Sequence, residues 1–419
     1  MTPAVKDRIE QIRHGNVPDG YKKTESGIIP NEWRVGQIAE CIEEYKVLSN
    51  DIVHIPVYSS SRKGLIPQSD YYDQREAVET NLGYKVVPLG YVTYRHMSDD
   101  DVFHFNINGT GGDILVSSEY PVFTTSSNCD LGFLIPALNS TARFRYFCKT
   151  QKLGGTRTRL YLDNLKKYTL PLPPHSEQQK IAEILTAQDK VIELKEKRFA
   201  EKQRQKKYLM QQLLTGKKRI PGFGGEWKSV KLNEVLFERT DKNVDQNHRI
   251  CSVAVQKGVV DQVEHLGRSY AAADTSNYGV AYYGDIIYTK SPTGDFPYGI
   301  IKQSQLVENV AVSPLYGIYE PVCYELGYIL HTYFSNAINC SNYLLPIVQK
   351  GAKNTINITN SVFVSNRLYL PTDSKEQKAL AKIFITADKE IDLLRQDIEQ
   401  EKQKKKALMQ LLLTGVVRV

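Results

Sequence analysis

A chain of 419 residues exceeds one ordinary domain and implies about two to three. Its 41% hydrophobic content allows each domain a core, and a formal net charge of +7 suits a polyanionic partner without demanding one. The six cysteines stand far apart with no CxxC or Cys/His cluster, which argues against a zinc site or a disulfide framework, and no apolar run approaches the roughly 20 residues that cross a bilayer. The opening MTPAVKDRIEQIRHGN lacks the apolar stretch of a signal peptide, so a cytoplasmic protein without a membrane partner is expected.

Residues 1–28 read as a lead-in: Val5, Ile9 and Ile12 fall at helical spacing before Gly15, Pro18 and Gly20 break the helix. Residues 29–174 follow as a domain rich in β-like stretches, HIPVYSSS, YKVVPLGYVTYR, DILVSSEYPVFTT and RLYLDNLKKYTLPLP, with RFRYFCKT as a short helix. Strands with some helix make this an α+β domain. Residues 175–216 then form a long helix, opened by Ser176 with Gln179 three positions on as a capping box and closed at Gly216 by a left-handed cap, with Pro221 barring continuation.

The chain writes this helix twice. SEQQKIAEILTAQDKVIELKEKRFAEKQRQKKYLMQQLLTG from Ser176 recurs, without a gap, as KEQKALAKIFITADKEIDLLRQDIEQEKQKKKALMQLLLTG from Lys375, where Ser374 and Gln377 repeat the capping pattern. Ile181, Leu185, Ile192 and Phe199 form the apolar stripe of the first copy, interrupted by Gln188 and Lys195, and Leu380, Phe384, Ile391, Leu394 and Ile398 that of the second. Buried against each other, two such helices of about 60 Å form an antiparallel coiled coil. Residues 217–373 between them repeat the first domain faintly: Trp227 answers Trp33, Lys257-Gly258 answers Lys63-Gly64, Tyr278 Tyr84, Gly284 Gly90 and Tyr288 Tyr94. Residues 374–419 are the second helix and its tail. The expected fold is α+β, two tandem domains separated by two long helices in a pseudo-two-fold repeat.

Catalytic motifs are missing. LPLPPHSE holds the double proline but stands at a domain edge rather than in the Asn/Asp-Pro-Pro-aromatic setting that grips a flipped base, and LLTGKKR lacks the first glycine and the Ser/Thr of a phosphate-binding loop. The histidines form no metal spacing. Chemistry suited to nucleic acid is present in the loop Gly154-Gly155-Thr156-Arg157-Thr158-Arg159: glycine lets backbone approach phosphate, Thr156 can hold it, and Arg157 and Arg159 can bond bidentately to phosphate or guanine edges. An exposed hairpin with ordinary surface arginines has the same composition. Lys350, Lys353 and Asn354 occupy the matching position in the second domain, and Arg62, Lys63, Arg95, Lys257 and Lys290 are further candidates on loops that could equally be solvated. The basic runs Lys202 to Lys207 and Lys402 to Lys406 suit DNA or an acidic partner, though a solvated helix face reads alike.

The run GGTRTRLYLDNLKKYTLPLPPHSEQQKIAEIL from Gly154, together with GYKKTESGIIPNEW at Gly20, KGLIPQSDYYD at Lys63 and GDIIYTK at Gly284, resembles the specificity subunits of type I DNA restriction–modification systems. The resemblance covers nearly the whole chain in the order domain, helix, domain, helix; the second domain departs from it by ending LYLPTDSKEQ with a single proline. It implies a non-catalytic subunit whose two recognition domains each read one half of a bipartite, asymmetric sequence in double-stranded DNA, the helices setting the gap. It further implies two methylation subunits, which bind S-adenosylmethionine and modify adenine, and two restriction subunits, which use ATP and Mg2+. No cofactor or metal is expected on this chain itself. A self-sufficient DNA methyltransferase or nuclease with an unrecognised site, and a coiled-coil adaptor that does not bind DNA, are the rival readings.

Overall fold

The computed structural model describes residues 2–68, 83–152, 154, 156–268, 271–350 and 356–419. The chain forms two compact units, Met1–Lys195 with Asp397–Val419, and Glu196–Gln396, so each unit takes its helical layer from parts of both long helices, His175–Leu213 and Ser374–Leu412.

The first unit closes on itself where strand Arg34–Gln37 pairs antiparallel with Thr169–Leu172, bringing the start of the domain beside its end. Inside lies an antiparallel sheet in the order Asn106–Ile107, Val92–Thr93, Val122–Thr125, Ile42–Glu44, flanked by a sheet of Ile114–Ser117, Tyr84–Val87 and Leu48–Ser49 and by the hairpin Tyr58–Ser61/Gly64–Pro67. Helices Leu131–Ser140 and Ala142–Thr150 cover the core of Trp33, Tyr94, Phe105, Phe123, Phe133 and Phe144. Ile181 and Leu185 from the first long helix, and Leu412 and Leu413 from the second, enter that same core. Each such fully buried side chain contributes about 1.5–3 kcal/mol.

The second unit repeats the plan. Lys228–Lys231 pairs with Arg367–Leu370, and the sheet order Leu236–Glu238, Gly317–Pro321, Ile286–Tyr288, Ile301–Gln303 matches the first unit strand for strand. A second sheet, Gly258–Asp261, Arg249–Ala254, Val310–Val312, Gly279–Ala281, contains a parallel pair. Leu380 and Phe384 pack with Leu213, Leu214 and Trp227 beneath helix Tyr324–Phe334. The leucine surplus in LMQQLLTG and LMQLLLTG is therefore consumed by domain cores.

Within each unit the helix segments run antiparallel. In the first, Gln188 donates to Glu401 (2.7 Å), Lys195 bonds Asp397 (2.8 Å) and Glu401 (2.9 Å), and Lys405 pairs with Asp189. The two polar interruptions of the first stripe are thus answered by acids of the second, and Lys195 holds the Glu401 carboxyl down to about 2. In the second unit Lys202 pairs with Glu390 (3.0 Å) and Lys206 with Asp388, while Arg395 lies over the half-buried Phe199 ring at 5.7 Å. Ile192, Ile391, Leu394 and Ile398 are buried along the way.

Two local expectations change. RLYLDNLKKYTLPLP is not one strand: Leu162–Lys166 turns helical because Leu162 and Leu165, at helical spacing, are the residues that reach the core. Nor does Ser176 with Gln179 form the expected capping box. The carbonyl of Pro174 already accepts from the Glu177 and Gln178 amides, placing Ser176 inside the helix, and Gln178 reaches back to the carbonyl of Pro173 at 3.0 Å. Gln377 does the same to Pro371 at 2.8 Å, while Asp373 rather than Ser374 accepts the Lys375 amide. The C-terminal caps are left-handed, Gly216 at φ 68° and Gly415 at φ 72°, and a Cβ on Gly415 would also meet Pro30 at 2.6 Å.

Candidate functional site

Among the described residues no three His, Cys, Asp or Glu side chains are placed to hold a metal, and all six cysteines are free. No helix among them is long and apolar enough to cross a membrane. What the first unit does contain is a groove of about 880 Å³ that collects Arg62 and Lys63 from the turn of one hairpin, Arg95 from the segment after strand Val92–Thr93, and Ser98, Asp99, Ser117, Glu119 and Tyr120.

The loop of Thr156, Arg157 and Arg159 is brought beside this groove by pairing of Thr158–Arg159 with Met97–Ser98. Arg157 Nε donates to Asp99 at 2.8 Å, Thr158 Oγ1 to Asp101, and Arg62 Nη2 to Asp100. Three consecutive carboxylates, Asp99 to Asp101, therefore anchor both basic loops. The Arg62 bond holds the Asp100 carboxyl below its ordinary range. Their turn is built by Ser98, whose hydroxyl donates to Asp100 at 2.9 Å and accepts from the Val102 amide at 3.1 Å, and by Asp101 at φ 61°, a left-handed geometry that Asp tolerates better than most residues. His104 lines the groove and His96, between the lining residues Arg95 and Met97, is buried; burial pushes both imidazoles below their ordinary value.

Arg157 and Arg62 remain half-exposed, with Thr156, Lys63, Arg95 and Arg159 open to solvent. The groove thus presents cationic donors and carboxylate and hydroxyl acceptors together, where a plain phosphate track would be cationic throughout. Sequence reasoning missed the acids Asp99, Asp100, Asp101 and Glu119. The run SDDD was visible as charge, but its contact with Arg62 and Arg157 depends on pairings across long stretches of chain.

In the second unit the candidates separate. Lys257, at the hairpin turn equivalent to Lys63, lines a cleft of about 500 Å³ against the helical layer. Lys290, at φ 57°, is not among the residues lining that cleft, and burial lowers its ammonium from the ordinary value. Lys350 lies in the short strand Gln349–Lys350, and Gly155, Lys353 and Asn354 fall outside the described residues.

Residues 100–202, which take in Asp100 and Asp101 of the acidic turn, the Arg157 loop and the first long helix as far as Lys202, match the family model of the type I restriction modification DNA specificity domain. Over 448 aligned positions the chain is 24% identical to a putative type I restriction enzyme MjaX specificity subunit from Methanocaldococcus jannaschii, covering 96% of this chain and 97% of that one. A second protein of that organism, the type I restriction enzyme MjaVIII specificity subunit, is 23% identical over 65% of this chain and 68% of its own. The crystal structure of a type I restriction–modification system S subunit from M. genitalium superposes with a TM-score of 0.59 at 11% identity, covering 91% of this chain and 96% of that one. The fold is the same.

Proposed function

The chain belongs to the specificity subunits of type I restriction–modification systems, and on that premise we propose that the groove of its first unit reads one half of a bipartite DNA target while the second unit reads the other. As such a subunit it recognises DNA and is not itself catalytic. The observation that carries the assignment to the groove is that Arg62, Lys63 and Arg95 line it together while the acidic turn Asp99–Asp101 at its edge bonds Arg62 and Arg157. Discrimination among base pairs needs donors for guanine and thymine edges and acceptors for the amino groups of cytosine and adenine, and this groove offers both. Before DNA arrives, the carboxylates hold the arginines in place. Exchange of Asp99 or Asp100 for a base or phosphate partner then costs one ion pair for another.

On this reading methylation and cleavage fall to partners: two methylation subunits carrying S-adenosylmethionine, and two restriction subunits using ATP and Mg2+. Assembly of that kind places the chain in the cytoplasm, beside its DNA. The test is to coexpress the chain with its methylation subunit and compare methylation by wild type and by Arg157→Ala/Arg159→Ala. Loss of methylation by about tenfold or more, or relaxation at one half of the motif, is expected from losing bidentate contacts. Unchanged rate and unchanged motif would remove these residues from the interface.

A further inference from the structure

The internal repeat allows each unit to be compared with the other, and one place differs in chemistry. Strand register places Lys302, opposite Ile287, where the first unit has Asn106 opposite Thr93. Asn106 is neutral and satisfied, donating to Ser60 Oγ and to the Ser61 carbonyl of the neighbouring hairpin at 2.8 and 2.9 Å. Lys302 is a buried ammonium at 5% exposure that donates to Ser335 Oγ at 2.9 Å and, among the described residues, forms no ion pair. Likewise His331 and Tyr328 on helix Tyr324–Phe334 replace Pro136 and Phe133 of the matching helix, as aligned through LGF at Leu131 and LGY at Leu326. The second unit has put polar groups where the first keeps apolar or neutral ones.

These groups face one cleft of about 500 Å³, also lined by Lys206, Lys207, Lys257 and Arg395. Five cations stand against two carboxylates, Asp388 and Asp392, and both acids are already engaged: Asp388 by Lys206 and by the Tyr328 hydroxyl at 2.8 Å, Asp392 by Arg395 at 2.8 Å. His331 accepts from the Gln303 amide at Nδ1, which leaves its ring proton on Nε2 as a donor. A buried cation with no counter-ion is costly, and the cheapest remedy is an anion from outside. Burial pulls the Lys302 ammonium down to about 8, because its charged form loses hydration there.

We propose that this cleft is a phosphate-binding site, with Lys302 and Ser335 at its floor and Lys257 and Lys207 at its mouth. A phosphodiester of the DNA backbone and a free phosphorylated small molecule present the same chemistry. The site stands independently of base reading by the groove of the first unit.

The test titrates inorganic phosphate and pyrophosphate into the full-length chain by calorimetry in low-salt, phosphate-free buffer. Saturable binding is expected in wild type, at least tenfold weaker in Lys302→Met and several-fold weaker in Lys257→Ala. Methionine matches the lysine stem and removes the charge, so the fold is retained; Lys257 is exposed and its loss touches no core. A second arm measures affinity for a duplex without the target at several salt concentrations. If the backbone supplies the phosphate, Lys302→Met reduces the slope of log K against log salt by about one; an unchanged slope assigns the site to a free phosphate compound. No saturable binding of either anion by wild type, or binding unaltered in both lysine variants, overturns the proposal and leaves the reading of DNA by the first unit untouched.

Discussion

The two units share one side-chain lock. In the first, Trp33 Nε1 donates to Glu177 at 3.0 Å while Arg418 grips the same carboxylate through Nε and Nη2 at 2.6 and 2.9 Å. In the second, Trp227 donates to Glu376 at 3.3 Å and Arg219 grips it at 2.8 and 2.7 Å. Both carboxylates are buried, so removal of the arginine strands a charge in the core. Arg219→Ala is expected to destabilise the second unit by about 3 kcal/mol, read as a shifted urea midpoint, with Arg219→Lys between it and wild type because lysine keeps the charge but not the bidentate fork. A second residue-scale expectation concerns pH. Lys302 titrates near 8 when folded against an ordinary 10.5, so below 8 its burial cost is fully present, and it is relieved as pH rises from about 8 to 10.5, where the unfolded chain alone holds the proton. The stability advantage of Lys302→Met over wild type, in phosphate-free buffer, should therefore shrink between pH 7 and pH 10. An advantage that stays constant would show that Lys302 does not titrate in this range.

At the scale of elements, the long helices were legible because a 3.6-residue period sustained over ten turns, and written twice, leaves few alternatives. Ile181, Leu185, Leu380 and Phe384 lie on the stripe, but their burial is shared with the domain cores, which no pattern within the helix encodes. Ser176 matches the local capping rule but lies inside the helix, because the Pro174 carbonyl already accepts from the Glu177 and Gln178 amides. Strands of two to six residues show in the sequence only as general β-like stretches, and LDNLK hides a helical turn among them. In the groove, arginine and threonine of the GGTRTR loop were visible as chemistry. Asp99 and Asp100 were not, because their role arises from contacts with Arg157 and Arg62 that lie 58 and 38 residues away. Lys257 and Lys290 looked equivalent in sequence and take different surroundings because only the former sits on a hairpin turn.

At the scale of the whole molecule, duplication explains why two units of one plan carry different surfaces. The closing strand pair, the sheet order and the Trp–Glu–Arg lock recur in both, whereas matching positions carry different chemistry, Asn106 in the first unit standing where the second has Lys302. A scaffold held constant beneath divergent loops is what reading two unlike half-sites requires. The paired strands Arg34–Gln37 and Thr169–Leu172 offer a natural junction, since exchange of residues 38–168 between them leaves Trp33, Glu177 and Arg418 in place. The decisive measurement is therefore the methylated motif, sequenced genome-wide, of a chain whose residues 38–168 come from another specificity subunit, coexpressed with the same methylation subunit. One half of the motif should change and the other stay; a motif altered in both halves, or in neither, would contradict two independent readers.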